Sequence, residues 1–274
     1  MIREIVFRVS DDVEKIVERM YEEDFFKFSI EEGKEGTFLK IYLSVEEDIP
    51  EFLEEMKLEF VEEREISPSD WFPKDLLKPF EVVPNIIVDP YDVVKEKGKI
   101  VIKLTPGLAF GTGYHPTTRM ALSFIVNNIK NGMTFLDVGC GTGILSIIAK
   151  KLGARRVLAV DIDPQAIEST IDNAIKNDVE IEVLKSNLLE RVEGKFDMIA
   201  ANILPEILLK LLDDVHRVSH ERTILILSGI TKEKEGVLLD KARLNGWRLV
   251  DRKMEDDWVC FLMRRSSKNS LGER

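Results

Sequence analysis

Residues 4–9, EIVFRV, alternate apolar and polar positions with the period of a half-buried strand. In DDVEKIVERMYEE, which follows, apolar residues recur at helical spacing, and Asp11 stands where a cap belongs. Two further strands, FFKFSIEE and TFLKIYLSV, flank a turn at GKEG (33–36). DIPEFLEEM predicts a short helix with Pro50 in its first turn, and KLEFVEERE a last strand. The succession β-α-β-β-α-β predicts a small ferredoxin-like α+β domain over residues 1–66.

The pattern then changes. SPSDWFPKDLLKPFEVVPN holds four prolines and Trp71, and residues 67–98 read as a linker. KIVIKL (99–104) is a strand leading into GLAFGTGYHPTT (107–118), a nearly uncharged loop followed by an apolar, strand-like run. Beyond it strands and helices alternate. TFLDVGCG, RVLAVDID, IEVLKSN, FDMIAAN and TILILSGI read as strands, and ILSIIAKKLG, PQAIESTIDNAIKN and PEILLKLLDDVHRV as the helices among them. Strands apolar on both faces, separated by helices, predict a parallel sheet covered on both sides. GWRLVDRKMEDDWVCFLMRR closes this second domain, 99–265, as an antiparallel hairpin around MEDD, and residues 266–274 are expected to fray.

Composition narrows the field. Of 274 residues, 44% are hydrophobic, enough for a substantial core, and no apolar run approaches the length of a membrane span. The first residues, MIREIVFRVSDD, carry early charge rather than a secretory signal. Cys140 and Cys260 suggest neither a disulfide framework nor metal ligation, so a metal-free, cytoplasmic protein is expected. The net charge of −11 is unevenly spread. Residues 1–66 carry 9 Lys and Arg against 21 Asp and Glu, whereas the rest of the chain, with 30 against 29, is balanced. An acidic domain argues against nucleic acid and for a basic protein partner, or serves solubility alone. The 32% charged fraction, rich in Glu and Lys, fits a heat-adapted source.

FLDVGCGTGILS (135–146) is a strand entering a glycine-rich turn that opens a helix. In an open parallel sheet such a turn lies at the carboxyl end of a strand, where ligands bind. Gly139, Gly141 and Gly143 let the chain turn tightly and a ligand approach the backbone. Asp161 closes the next strand 22 residues after Gly139, where a carboxylate can accept hydrogen bonds from ribose hydroxyls. The spacing G-x-G-x-G, with Ile144 at the sixth position, departs from the dinucleotide fingerprint, and Asp137 lies two residues before the first glycine. A pyrophosphate disfavours an adjacent carboxylate, whereas a cofactor with an amino acid head group can use one. This pattern resembles motif I of class I S-adenosylmethionine-dependent methyltransferases; an NAD-type site or a purely structural turn are the alternatives. Asn202 closes the fourth strand of the sheet, either as a helix cap or as a holder of the methyl acceptor. It stands where N-methyltransferases carry Asn-Pro-Pro-aromatic, but here the run is Asn202-Ile203-Leu204-Pro205, which disfavours planar amide or adenine acceptors.

TPGLAFGTGYHPTTRMAL, FLDVGCGTGIL, VDIDPQA, AANIL and SGI (228–230) occur in that order, preceded by DWFPKDLLKPFEVVP. Over roughly residues 67–264 the chain resembles the ribosomal protein L11 methyltransferase family. The resemblance implies a seven-stranded Rossmann-like class I methyltransferase sheet and a small amino-terminal substrate-recognition domain. It implies S-adenosylmethionine as cofactor, contacted by Thr118, Gly139, Asp161 and Asn202, with Asp137 and the backbone of Gly141 and Gly143 at the amino acid end. Phe110 would wall the pocket, Gly111 and its neighbouring glycines would let the loop close, and His115 with Pro116 would fix its shape, a catalytic base being the alternative for His115. Asn202 would direct an amine of a basic ribosomal protein, a lysine side chain or the α-amine, at the cofactor's methyl group. A class I methyltransferase acting on another protein or a small amine, and a non-catalytic cofactor-binding adaptor, are the competing functions.

Overall fold

The computed structural model describes residues 2–10, 13–23, 25, 28–33, 36–66, 78–90, 93–94, 98–104 and 111–266. Asp11, Trp71, Gly107, Phe110 and the tail from residue 267 lie outside the described residues. The chain divides into two compact units, Met1–Asp75 and Leu76–Arg274.

In the first unit, β1 (Ile2–Val9), α1 (Val13–Glu22), β2 (Phe28–Gly33), β3 (Gly36–Ser44) and β4 (Leu58–Ile66) form an antiparallel sheet ordered β2-β3-β1-β4 with a helix against it. Period-2 alternation delivers Ile5 from β1 and Leu39, Ile41 and Leu43 from β3 into a core completed by Ile16 and Met20 of α1 and by Leu53. Each such fully buried aliphatic side chain contributes about 1.5–3 kcal/mol. The helix expected around Pro50 is instead one 3-10 turn, Glu51–Leu53, with Pro50 at its cap. Only Leu53 of that turn is buried, too little contact to offset the cost of nucleating a helix in so short a segment.

The second unit is built on a seven-stranded sheet ordered β10-β9-β8-β11-β12-β14-β13. Its strands are β8 (Thr134–Val138), β9 (Arg156–Asp161), β10 (Glu182–Lys185), β11 (Phe196–Asn202), β12 (Ser219–Thr231), β13 (Trp247–Glu255) and β14 (Trp258–Arg265). The first five run parallel, and β14 lies antiparallel between β12 and β13. One face is covered by α2 (Pro116–Asn128), α3 (Ile144–Lys151) and α4 (Pro164–Lys176). The other carries α5 (Pro205–Asp214) and α6 (Glu235–Leu244). Because both faces are covered, Phe135, Leu136, Ile199, Ala200, Leu225 and Ile226 are all fully buried, which is why these strands read as continuous apolar runs.

Two expectations are corrected in this unit. The strand-like run after the opening loop is α2, started by His115 as cap and Pro116 in the first turn. Thr117, Thr118, Met120, Ala121, Leu122, Phe124 and Ile125 are all buried, so the helix is covered almost all round and shows no clear apolar stripe. KIVIKL forms the strand expected of it, β7 (Ile100–Ile102), which pairs in parallel with β6 (Ile86–Val88), itself in a hairpin with β5 (Phe80–Val83). The stretch read as linker therefore carries two strands, turned at Asn85 in the left-handed region (φ 67°), which asparagine tolerates. Helix α6 has no counterpart in the sequence reading; only Leu238 and Ala242 of it are buried, a signal too thin to see.

Candidate active site

The site is assembled where β8, β9, β11 and β12 end. After Val138 the chain takes positive φ at Gly139 (75°), Gly141 (53°) and Gly143 (77°), a sequence of angles that only glycine adopts without strain. The turn is tied by backbone bonds: the N–H groups of Gly139 and Cys140 both donate to Val160 O (2.8 and 3.1 Å), and Gly143 N–H to Cys140 O (2.8 Å). Space explains the glycines further. A Cβ on Gly139 would lie 2.2 Å from Ile203 Cγ2, and one on Gly143 2.9 Å from Thr170 Cγ2. The freedom that the sequence assigns to an approaching ligand is thus partly taken by the chain's own side chains.

Asp137 is fully buried in β8, and its Oδ2 accepts from Ser146 N–H (3.1 Å) and Oγ–H (2.7 Å), capping α3 from a neighbouring strand. Its Oδ1 is buried with no partner among the described residues. Burial pushes the Asp137 carboxyl up to about 7, against the opposing pull of the Ser146 hydrogen bonds. Asp161 stands at the end of β9, where Oδ2 accepts from Gly141 N–H and Oδ1 from Asp163 N–H, both at 3.0 Å. Desolvation raises this carboxyl as well, although the two backbone donors oppose it. Glycine turn and carboxylate are therefore one hydrogen-bonded piece.

The described part of the opening loop reaches the same turn. Thr142 Oγ1 donates to Gly111 O (2.7 Å), Asn173 Nδ2 to Thr142 O (2.9 Å) and Thr170 Oγ1 to Gly141 O (3.0 Å). Gly111 itself has φ 102°. Thr142, Ser146, Thr170 and Asn173 were not singled out from the sequence. Ser146 alone offered a signal, as a hydroxyl in the first turn of the helix that the glycines open.

Asn202 ends β11 and is nearly buried, and its Nδ2 donates to Thr118 Oγ1 at 3.2 Å. Its Oδ1, like that of Asp137, is buried without a partner among the described residues. It does not cap the following helix: the cap of α5 is Leu204, which makes no side-chain bond there. That removes the helix-cap explanation of Asn202. Ile203 behind it fits between two glycines, since a Cβ on Gly229 would fall 2.3 Å from Ile203 O. Ser228, from the SGI run, donates through Oγ to Thr117 O at 2.8 Å. Of the residues expected at a cofactor site, Thr118 meets Asn202, Asp161 meets Gly141, and Gly111 meets the turn through Thr142; Phe110 lies outside the described residues.

Two buried acceptor oxygens without donors, on the adjacent strands β8 and β11, are costly unless something supplies N–H or O–H groups. That donor set suits S-adenosylmethionine and an amine. An ammonium head group fits the Asp137 carboxylate, ribose hydroxyls fit Asp161, and a neutral amine fits the Asn202 amide oxygen. Among the described residues no cluster of His, Cys, Asp or Glu could hold a metal ion, and no helix is long and apolar enough to cross a membrane.

A parallel sheet with a late antiparallel strand, a glycine turn after its first strand and an acid closing its second define the class I S-adenosylmethionine-dependent methyltransferases. The sequence profile of the family described as ribosomal protein L11 methyltransferase (PrmA) matches residues 9–266. The chain belongs to that family. It is 51% identical over 265 residues to the ribosomal protein L11 methyltransferase of Thermotoga neapolitana, covering 96% of this chain and 99% of the relative. It is 50% identical, with the same coverage, to that of Thermotoga maritima. A crystal structure of ribosomal protein L11 methylase from Lactobacillus delbrueckii subsp. bulgaricus superposes with a TM-score of 0.66 at 32% identity, over 69% of this chain and all of that one.

Proposed function

We infer that this protein transfers methyl groups from S-adenosylmethionine to amino groups of ribosomal protein L11, lysine side chains or the α-amine. The unpartnered Asn202 Oδ1, beside Thr118 and one strand from Asp137, carries the site assignment. When bound, the cofactor supplies a methyl group activated on a sulfonium sulfur. Asp137 and the backbone of Gly139, Gly141 and Gly143 hold its amino acid end, and Asp161 its ribose. Gly111 and Thr118 line the pocket.

A lysine amine, with a pKa near 10.4 in water, must shed a proton before it can attack. Asn202 Oδ1 accepts a hydrogen bond from the neutral amine and aims its lone pair along the line of displacement. Burial at the ends of β11 and β12 disfavours the ammonium form, so no strong side-chain base is required. The first unit is a ferredoxin-like recognition domain, and its excess of 21 acidic over 9 basic residues within 1–66 attracts a basic ribosomal protein.

Incubation with methyl-labelled S-adenosylmethionine and purified ribosomal proteins tests the reading. Label is expected on L11, with a Michaelis constant for L11 that rises between 0.1 and 1 M salt as the Debye length shrinks from about 10 to about 3 Å. Label on another protein or a small amine overturns the substrate, and cofactor binding without transfer to any acceptor overturns the activity. A salt-independent Michaelis constant returns the acidity to a solubility role.

A further inference from the structure

His115 sits at the start of α2, between the opening loop and the site. Its Nδ1 accepts from Thr117 N–H (3.4 Å) and lies 2.7 Å from Thr117 Oγ1. Accepting an N–H bond requires an unprotonated Nδ1, so the ring is neutral with its proton on Nε2. The ring meets the Trp258 indole edge to face (centroids 4.8 Å apart, 73°). Among the described residues, charged groups face it from two elements: Arg119, one turn along α2, donates to Tyr114 O and pairs with Glu255 of β13. Burial first, then Arg119, push the imidazole below its usual value, with Glu255 opposing.

The two residues that the cap orders both reach the strand ends. Thr117 O accepts from Ser228 Oγ, and Thr118 Oγ1 accepts from Asn202 Nδ2. A carboxamide can present either end to a neighbour. Donation of Nδ2 to Thr118 leaves Oδ1 as the end that faces an incoming amine. We propose that His115 is a positioning residue: as the neutral cap of α2 it holds Thr118 against the Asn202 amide and thereby turns Asn202 Oδ1 toward the acceptor amine. This rests on the role of Asn202 given above.

The test compares wild type, His115→Ala and His115→Asn as full chains. It measures kcat and KM for L11 against pH at saturating S-adenosylmethionine, with cofactor affinity by calorimetry. His115→Ala is expected to lower kcat roughly tenfold, with KM for L11 and cofactor affinity within about twofold. Asparagine, a strong cap without a titrating ring, should restore at least about half of the wild-type kcat. It should also lack the extra acid-side loss that protonation of His115 gives the wild type. Three results overturn the proposal: wild-type kcat in the alanine variant, an asparagine variant as slow as alanine, or identical acid limbs in wild type and asparagine. If alanine prevents folding, the acid limbs of the other two decide alone. Full turnover in Asn202→Ala would instead remove the role of Asn202, a failure separable from that of His115.

Discussion

The glycine turn after β8 and the Asn202 end of β11 lie on neighbouring strands, yet they are held in different ways. The turn is fixed by its own backbone, with Val160 O taking two N–H groups and Asp161 a third. Asn202 hangs on a single 3.2 Å side-chain bond to Thr118, on a helix that begins only five residues beyond Gly111. The cofactor end is thus braced by its own backbone, whereas the acceptor end depends on how α2 is seated. Ile203 is the mechanical link between them, packed toward Gly139 on one side and Gly229 on the other.

Breaking that link should have the largest effect. Gly139→Ala forces a Cβ to 2.2 Å from Ile203 Cγ2 at a φ of 75°. A loss of roughly 2–5 kcal/mol in urea unfolding is expected, from left-handed strain and overpacking together. Adding Ile203→Ala should recover the packing share only; a double variant no more stable than the single one would show that Ile203 is not the obstacle.

The two ends should then separate cleanly. Asp161→Ala, which removes the carboxylate from the turn, should weaken cofactor binding at least about tenfold, from charge-assisted bonds worth about 1.5–3 kcal/mol each. Calorimetric affinity within twofold of wild type would contradict the ribose assignment. Asn202→Asp leaves the cap of α5 untouched, because Leu204 occupies that position. Melting should stay near wild type while turnover falls about tenfold, and unimpaired turnover would strip Asn202 of its role.

The smallest effect is a slope in pH. The Asp137 carboxyl is pushed from 3.8 up to about 7 in the fold. Between those values the unfolded chain has released the proton that the folded chain still holds. Asp137 thus withdraws stability as pH rises from about 4 to about 7 and adds no slope above. An ammonium docked at Oδ1 favours the ionised form, so cofactor affinity should climb as pH rises toward about 7, with release of a proton. Asp137→Asn should flatten both curves; equal slopes in stability and in binding for the two proteins would place the titration elsewhere.

The contrast also explains what the sequence revealed. The turn was legible because glycine spacing and a carboxylate 22 residues on are local constraints written in a short stretch. Asn202 remained divided between cap and acceptor holder, since only the tertiary bond to Thr118, 84 residues earlier, and the cap at Leu204 distinguish the two. Helix α2 was hidden by being buried on nearly every side, polar Thr117 and Thr118 included, and β5 and β6 by the prolines around them. The interlock at Ile203 had no signal at all, because Gly229 and Gly139 meet it only through the order of the strands.

That order has a consequence for synthesis of the chain. The small sheet is complete once residue 66 has emerged, since β4 is its last strand. The large sheet is not, because β14, made after β13, must slip between β13 and β12 and buries Val259 to Met263 there. At about 5–20 residues per second, the roughly 200 residues between Ile66 and Arg265 separate the two events by some 10–40 s. For that interval a nascent chain would carry a finished amino-terminal unit ahead of a catalytic sheet that still lacks an interior strand.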